Sequence, residues 1–198
     1  MPQPPGPLLS IDTLVRRAVG GEREAFAEIY ERYVTRVYRY IYFLTGGAPD
    51  VEDLTAQTFL QAWRRIQRFE PRGYSVGPWL LRIAHNVTVS HLRRRHKERQ
   101  GIPLDYRDPG RDADPALRLE EQSDADRLRV AIMSLTQIER DVIILRFVDG
   151  LSYAETAEAL GRKVNAVRVA QWRALTHLRG ILSSPEKQEI LVTRNPRR

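Results

Sequence analysis

The stretch LSYAETAEALGRKVNAVRVAQWRALTHLRGIL, residues 151–182, decides the fold predicted for the second half of the chain. Ser152 and Glu155 have the spacing of a capping box and predict a short helix that ends at Leu160. Gly161 then predicts a tight turn, and the apolar residues after it recur at helical spacing. A short helix, a glycine turn and a longer helix together form a helix-turn-helix pattern.

The second helix of this pattern has one apolar face and one face that suits duplex DNA. The apolar face consists of Val167, Ala170, Ala174, Leu178 and Ile181. The opposite arc carries Asn165, Arg168, Val169, Trp172, Arg173 and Thr176. Residues 162–179 contain five basic residues and no acid, and such a helix can enter the major groove, where arginine binds guanine or phosphate. An ordinary helical hairpin is the alternative, with Trp172 packed on the neighbouring helix.

Glycine, proline and apolar spacing divide the rest of the chain into further helices. Asp50 is predicted to cap the helix that starts at Val51, and Pro78 suits a first helical position. Thr136 and Glu139 predict another capping box. No segment has the alternating pattern of a strand, so the predicted fold class is all-α. The predicted helices before residue 151 are 12–19, 24–44, 51–68, 78–97, 124–134 and 136–147.

A change of composition separates two helical domains. Residues 101–123 hold prolines and glycines with little periodicity, and residues 105–126 carry eight acids against three arginines, a balance of −5. This composition is typical of a flexible acidic linker. We therefore predict two small helical domains, 12–100 and 124–184, joined by this linker, with tails at 1–11 and 185–198.

The overall composition excludes several classes of protein. The chain has 198 residues, a formal net charge of +7 and no cysteine. Disulfides, zinc–thiolate sites and cysteine catalysis are thereby excluded, and a reducing compartment is favoured. No apolar run reaches the ~18 residues that a membrane span needs, so no membrane insertion is predicted. The four histidines lack metal-binding spacing, and no phosphate loop or nucleophile elbow occurs. We predict no enzyme, no metal, no cofactor and no small-molecule substrate.

The helix predicted from Pro78 carries two contrasting faces. Its apolar face consists of Leu80, Ile83, Ala84, Val87 and His91, and its other face of Trp79, Arg82, Asn86, Ser90, Arg93 and Lys97. An aromatic ring, hydrogen-bonding groups and cations form a suitable surface for unstacked bases and phosphates. Residues 93–99 add a net charge of +4 at the end of this helix. The alternative is a solvated basic helix with Trp79 in the core.

The helix from Val51 also has a mixed outer face. Its predicted core residues are Thr55, Thr58, Phe59, Ala62 and Ile66, and its exposed residues are Asp53, Gln57, Leu60 and Arg64. An exposed leucine among polar groups can mark a protein interface, although single surface leucines are common. On physical grounds alone, an ordinary surface is favoured here.

Four stretches of the chain carry a specific resemblance. AFAEIYERYVTRVYRYIYFLTG, DVEDLTAQTFLQAWRRI and PWLLRIAHNVTVSHLRRR resemble the second domain of bacterial RNA polymerase sigma factors of the extracytoplasmic-function (ECF) group. LTQIERDVIILRFVDGLSYAETAEALG resembles the first half of their fourth domain. The similar segments cover about 12–97 and 124–182, and their order with a linker between them is more specific than any one segment.

The resemblance implies functions for three surfaces. The helix with Asp53, Gln57, Leu60 and Arg64 is expected to bind core RNA polymerase. The loop residues Tyr74 and Ser75, with the following helix (Trp79, Arg82, Asn86, Ser90 and Arg93), are expected to capture and open the −10 element of promoter DNA. Asn165, Arg168, Val169, Trp172 and Arg173 are expected to recognise the −35 element as duplex. An anti-sigma protein is implied as a further partner, and a cytoplasmic location follows.

The chain departs from the family pattern at two places. Ser90 stands where members often carry Asp or Asn, so the −10 preference can differ. Residues 163–170 read KVNAVRVA, whereas a Ser-x-Gly-Thr-Val-Lys/Arg-Ser-Arg pattern is common, so no −35 sequence is carried over. Two alternative functions stay open: a helix-turn-helix regulator that acts without core polymerase, and a helical adaptor that binds acidic proteins.

Overall fold

The computed structural model describes residues 9–70, 75–101 and 124–183. These residues form helices and connecting turns without a strand, which confirms the all-α prediction. Residues 102–123 of the predicted linker and most residues of both predicted tails lie outside the described residues. The helices are α1 (Ile11–Val19), α2 (Arg23–Thr45), α3 (Val51–Arg65), α4 (Val76–Gly101), α5 (Asp124–Ser134), α6 (Gln137–Ile143), α7 (Tyr153–Leu160) and α8 (Val164–Leu182).

Helices α1–α4 form one bundle, which we call the N-terminal bundle. Helix α2 lies at its centre and contacts α1, α3 and α4, because its apolar residues recur every three or four positions. The hydroxyls of Thr55 and Thr58 are buried but donate to the carbonyls of Val51 and Leu54, at 2.8 and 2.7 Å. All five residues predicted for the core face of the helix 51–68 are buried, four in α3 and Ile66 in the 3-10 turn that follows it: Thr55, Thr58, Phe59, Ala62 and Ile66.

Two local predictions for this bundle are wrong. Asp50 makes no side-chain cap on α3, because its carboxylate instead accepts hydrogen bonds from α4. Helix α4 begins at Val76 rather than at Pro78. A proline is tolerated in the first turn, since the N–H groups there have no partner within the helix.

Helices α5–α8 form the C-terminal bundle. Both predicted capping boxes are present, at Thr136 with Glu139 and at Ser152 with Glu155. The backbone N–H of Ser152 donates to Glu155 at 2.8 Å. This hydrogen bond is the largest of the causes that hold the pKa of Glu155 below its usual range. Gly161 ends α7 in the left-handed conformation at φ 61°, where a side chain would be strained. The helix-turn-helix pattern is thus confirmed in α7 and α8.

The two bundles also pack against each other. Helix α7 contacts α4, and the segment Ile144–Val148, a π-helical continuation of α6, contacts α2. Ile144, Leu145 and Leu151 join the buried apolar cluster of the N-terminal bundle. The sequence patterns gave no indication of this packing. In the described ranges, no helix is long and apolar enough to cross a membrane.

Candidate nucleic-acid interface

Helix α8 presents an exposed face opposite its buried one. Val167, Ala170, Ala174 and Leu178 are buried, as predicted, and attach the helix to the bundle. The five residues proposed for duplex recognition are all exposed: Asn165, Arg168, Val169, Trp172 and Arg173. Trp172 is 68% exposed, so the alternative in which it packs on the neighbouring helix is wrong. An indole this exposed is available to a partner surface.

A side-chain network behind this face holds Arg168. The Tyr153 ring, at the start of α7, lies 5.2 Å from the guanidinium carbon of Arg168 and 4.0 Å from that of Arg146. Gln171 donates to the Tyr153 hydroxyl at 3.0 Å and accepts from Arg146 at 3.1 Å. Cation–π contacts of this kind restrict a long side chain. Tyr153 was not among the predicted site residues, because its partners Arg146, Arg168 and Gln171 lie on two other segments of the chain.

The outer stripe of α4 is exposed, except at its aromatic residue. Arg82, Asn86, Ser90 and Arg93 all face solvent. The ring of Trp79 is half-buried, with its centroid 4.9 Å from that of Phe69. The structure therefore favours packing for Trp79. Among the loop residues proposed for this surface, Ser75 is exposed and Tyr74 lies outside the described residues.

The basic half of α4 is fixed to the start of α3 by one carboxylate. Asp50 Oδ2 lies 3.1 Å from His91 Nε2 and 2.8 Å from Arg95 Nη1. These two contacts of Asp50 fix α4 relative to α3, and they thereby fix the position of the exposed stripe on α4. The sequence predicts His91 on the core face of its helix and Asp50 as a helix cap. Asp50 and His91 are 41 positions apart in the chain, so local residue spacing does not predict that they share a hydrogen bond.

Asp50→Ala is expected to destabilise the protein by about 1 kcal/mol, because it removes two charge-assisted hydrogen bonds at a partly exposed site. A change of this size lowers the melting temperature by roughly 2–4 °C in a chain of this length. Thermal unfolding followed by circular dichroism measures it. Glu52→Ala, an exposed acid in the same segment, is the control. An equal melting temperature for both variants would contradict the positioning role of Asp50.

The outer face of α3 is exposed along its whole length. Asp53, Gln57, Leu60 and Arg64 are all solvent-accessible, and Leu60 is 49% exposed. Asp53 lies in the first turn, where the helix dipole favours a negative charge. The C-terminal bundle packs against α2 and α4, so this face stays open in the described arrangement.

Three histidines, His85, His91 and His177, have protein partners. His85 Nδ1 lies 3.2 Å from the Tyr40 hydroxyl and 3.5 Å from Asp141 Oδ2. His177 Nδ1 lies 3.0 Å from Glu139 Oε1. In the part of the chain that the structure describes, no group of three His, Asp or Glu side chains is placed to hold a metal ion.

Family models match both bundles. The model of Sigma-70 region 2 matches residues 29–98, and that of Sigma-70 region 4 matches residues 125–178. Among curated proteins, the ECF RNA polymerase sigma factor SigK of Mycobacterium tuberculosis is 30% identical over 190 residues, which cover 92% of this chain and 98% of SigK. The ECF sigma factor BldN of Streptomyces coelicolor is 40% identical over 172 residues, or 85% of this chain.

The match to some relatives is partial. The chain spans 64% of the length of BldN and 61% of that of the ECF sigma factor SigE of Mycolicibacterium smegmatis. Among solved structures, CnrH in complex with the cytosolic domain of CnrY superposes with a TM-score of 0.67 at 27% identity. That alignment covers 89% of this chain and 99% of CnrH. The arrangement of helices is therefore shared with a protein studied in complex with a partner.

Proposed function

Because the chain belongs to the ECF RNA polymerase sigma factors, we propose that it binds core RNA polymerase and directs promoter-specific initiation of transcription. It recognises the −35 element as duplex and the −10 element as opened strand. The observation that carries this proposal is the pair of exposed cationic faces, one on α4 and one on α8, in separate bundles. In this proposal the polymerase performs all bond chemistry, so the chain itself is not an enzyme. The proposed place of action is the cytoplasm.

Each exposed face suits one part of this task. The α8 face is free of acids and carries arginines, and it suits the major groove of a duplex. The α4 stripe carries an amide, a hydroxyl and cations, which suit a strand with unstacked bases. The outer face of α3 is proposed to dock on core polymerase through Asp53, Gln57, Leu60 and Arg64.

Transcription from a cognate promoter by core polymerase and this chain tests the proposal. A helix-turn-helix regulator that acts without core polymerase would bind duplex but give no transcript, and it leaves the α3 face unexplained. A helical adaptor for acidic proteins would bind neither promoter duplex nor core polymerase. Transcript formation that depends on both the promoter and the chain distinguishes the sigma factor from both alternatives.

We also propose that an anti-sigma protein regulates the chain. CnrH has been solved in complex with the cytosolic domain of CnrY, and it is similar to this chain over nearly its whole length. Such an inhibitor would have to cover the α4 stripe, the α8 face or the α3 face. Competition between a candidate inhibitor and core polymerase for the chain would identify it.

Asn86→Ala is expected to reduce opening of the −10 element while −35 binding is kept. A flipped base costs a few kcal/mol of stacking and pairing, and the exposed amide of Asn86 can return part of this through paired hydrogen bonds to a base edge. Permanganate reactivity of promoter thymines in the complex with core polymerase measures opening. Gln67→Ala, an exposed amide elsewhere in the N-terminal bundle, is the control. Permanganate reactivity equal to that of the control would remove Asn86 from the site.

A further inference from the structure

The exposed face of α8 has an apolar pair at its centre. Val169 and Trp172 lie about one turn apart on this face, where side chains three positions apart adjoin. At about 100° per residue, the direction midway between them points away from the buried residues of the helix. Val169 is 49% exposed, and Trp172 is exposed further still. The centre of a face that is otherwise rich in cations is therefore apolar.

The two arginines of this face lie on either side of the apolar pair. On the same helical geometry, Arg168 and Arg173 are each turned by about 70° from the direction of the pair, in opposite senses. With α8 in the major groove, the pair faces the floor of the groove, where the base edges lie, and the arginines reach to its two sides. The side chains that meet the central base edges are therefore Val169 and Trp172.

The polar side chains beside the pair are already bonded within the protein. The Gln171 amide donates to the Tyr153 hydroxyl at 3.0 Å and accepts from Arg146 at 3.1 Å. Because a paired contact to adenine needs both the oxygen and the nitrogen of an amide, Gln171 is not free to make one. The Thr176 hydroxyl, one turn after the pair, donates to the main-chain oxygen of Trp172 at 2.9 Å. The middle of the helix therefore offers apolar contact rather than hydrogen bonds.

The packing of the two bundles leaves this pair exposed. Arg36 of α2 donates to the main-chain oxygen of Asp149 at 2.8 Å, and Ile144 and Leu145 supply the apolar side of that contact. Trp172 is the most exposed of the large apolar side chains in the part of the chain that the structure describes. Solvated apolar groups contribute free energy only when a partner covers them. The pair is therefore available to the ligand of α8.

One base offers an apolar group to such a pair. In the major groove, the edges of adenine, guanine and cytosine present hydrogen-bond donors and acceptors, whereas thymine also presents its C5-methyl group. An apolar side chain over a donor or acceptor removes water without replacing its hydrogen bond, which costs free energy. Over a methyl group, the same side chain buries apolar area on both partners. The pair therefore suits thymine and discriminates against the other three bases.

We propose that Val169 and Trp172 form a methyl-binding surface that recognises thymine within the −35 element. The inference rests on the proposed function, because it takes α8 to lie in the major groove of that element. It adds the chemistry of a central base: on one strand or the other, a thymine methyl group packs on the Trp172 indole or on the Val169 side chain. Val169 stands where the common family pattern has a serine, so this surface distinguishes the chain from that pattern.

A selection followed by removal of single methyl groups tests the proposal. The complex of core polymerase and this chain is given a pool of promoter duplexes with a randomised −35 region, and the recovered duplexes define the preferred sequence. In that sequence each thymine is replaced in turn by deoxyuridine, which removes the methyl group and leaves every hydrogen-bonding group in place. At a contacted thymine, binding should weaken about fourfold, the effect of one buried methyl group.

Two variants of the chain connect the methyl group to its side chain. In Trp172→Ala or in Val169→Ala, the fourfold difference between the thymine and deoxyuridine duplexes should disappear, because the surface that covers the methyl group is gone. Leu175→Ala is the matched control, since it removes an apolar side chain of the same helix that is 43% exposed and lies about 90° from the direction of the pair. This control should keep the difference. Circular dichroism checks that each variant keeps its helical content.

The same measurements separate failure of this inference from failure of the proposed function. A selected −35 sequence without thymine on either strand, or full tolerance of deoxyuridine at every thymine, would overturn the methyl-binding surface and leave the sigma-factor function intact. The same holds if both Val169→Ala and Trp172→Ala keep the fourfold difference, because the pair would then contact the sugar–phosphate backbone. A pool in which no sequence is enriched, with no transcript from any recovered promoter, would overturn the proposed function and the methyl-binding surface with it.

Discussion

Asp53→Arg is expected to lower the affinity for core polymerase by between about 30-fold and a few thousand-fold, since loss of a desolvated interfacial charge partner costs ~2–5 kcal/mol. Asp53 is exposed and forms no ion pair with any described residue, so its charge is available to a partner. Leu60, on the same face, is 49% exposed and is proposed to supply the apolar contact beside it. The reversed charge would meet the cation that Asp53 is proposed to bind.

The variant needs a control for helix stability, because an arginine in the first turn opposes the helix dipole. Glu52→Arg carries the same penalty at the neighbouring exposed position but points to a different side of α3. Competition with the unchanged chain for core polymerase measures both variants. If Asp53→Arg competes as well as Glu52→Arg, the α3 face is not the docking surface.

Local patterns predicted the helices well, because the forces that start and end a helix act within a few residues. Both capping boxes and the Gly161 turn were found in this way. The buried faces of α3 and α8 followed from periodicity alone. The site helices were placed correctly because each of them combines a periodic apolar face with a clear boundary.

The environment of single residues could not be predicted in the same way. Trp79 and Trp172 both lie on a mixed helical arc in the sequence, yet one packs on Phe69 and the other is 68% exposed. The difference depends on whether a neighbouring segment reaches the ring. Asp50 is a further case, since the carboxylate that suits a cap is taken by His91 and Arg95 of another helix.

The contact between the bundles was beyond any local argument. Arg36 and Asp149 are 113 positions apart, and each is an ordinary polar residue in its own segment. Periodicity of α2 predicts that one stripe is buried, but it does not predict which element covers the rest. A change from linker to helix composition marks where a domain begins, and it carries no information on how two domains meet.

The two arginines of the α8 face are expected to contribute differently to −35 recognition. Arg168 lies near the start of the helix, where recognition helices present their base-contacting residues, and Tyr153 restricts its guanidinium. Arg173 lies further along and is exposed without such a contact in the described part of the chain. We therefore expect Arg168 to contact a base and Arg173 to contact a phosphate.

Arg168→Ala is expected to flatten the preference at one or two base pairs by ~1–3 kcal/mol, the discrimination of a bidentate arginine–guanine contact. Arg173→Ala should weaken binding to all sequences alike and make the salt dependence shallower by about one unit of slope. Binding of the full chain with core polymerase to single-base promoter variants, at several salt concentrations, measures both effects. Arg179→Ala, an exposed cation near the end of α8, is the control. Equal, sequence-independent losses for Arg168→Ala and Arg173→Ala would rule out base recognition by Arg168 and leave α8 as a nonspecific contact to the phosphate backbone.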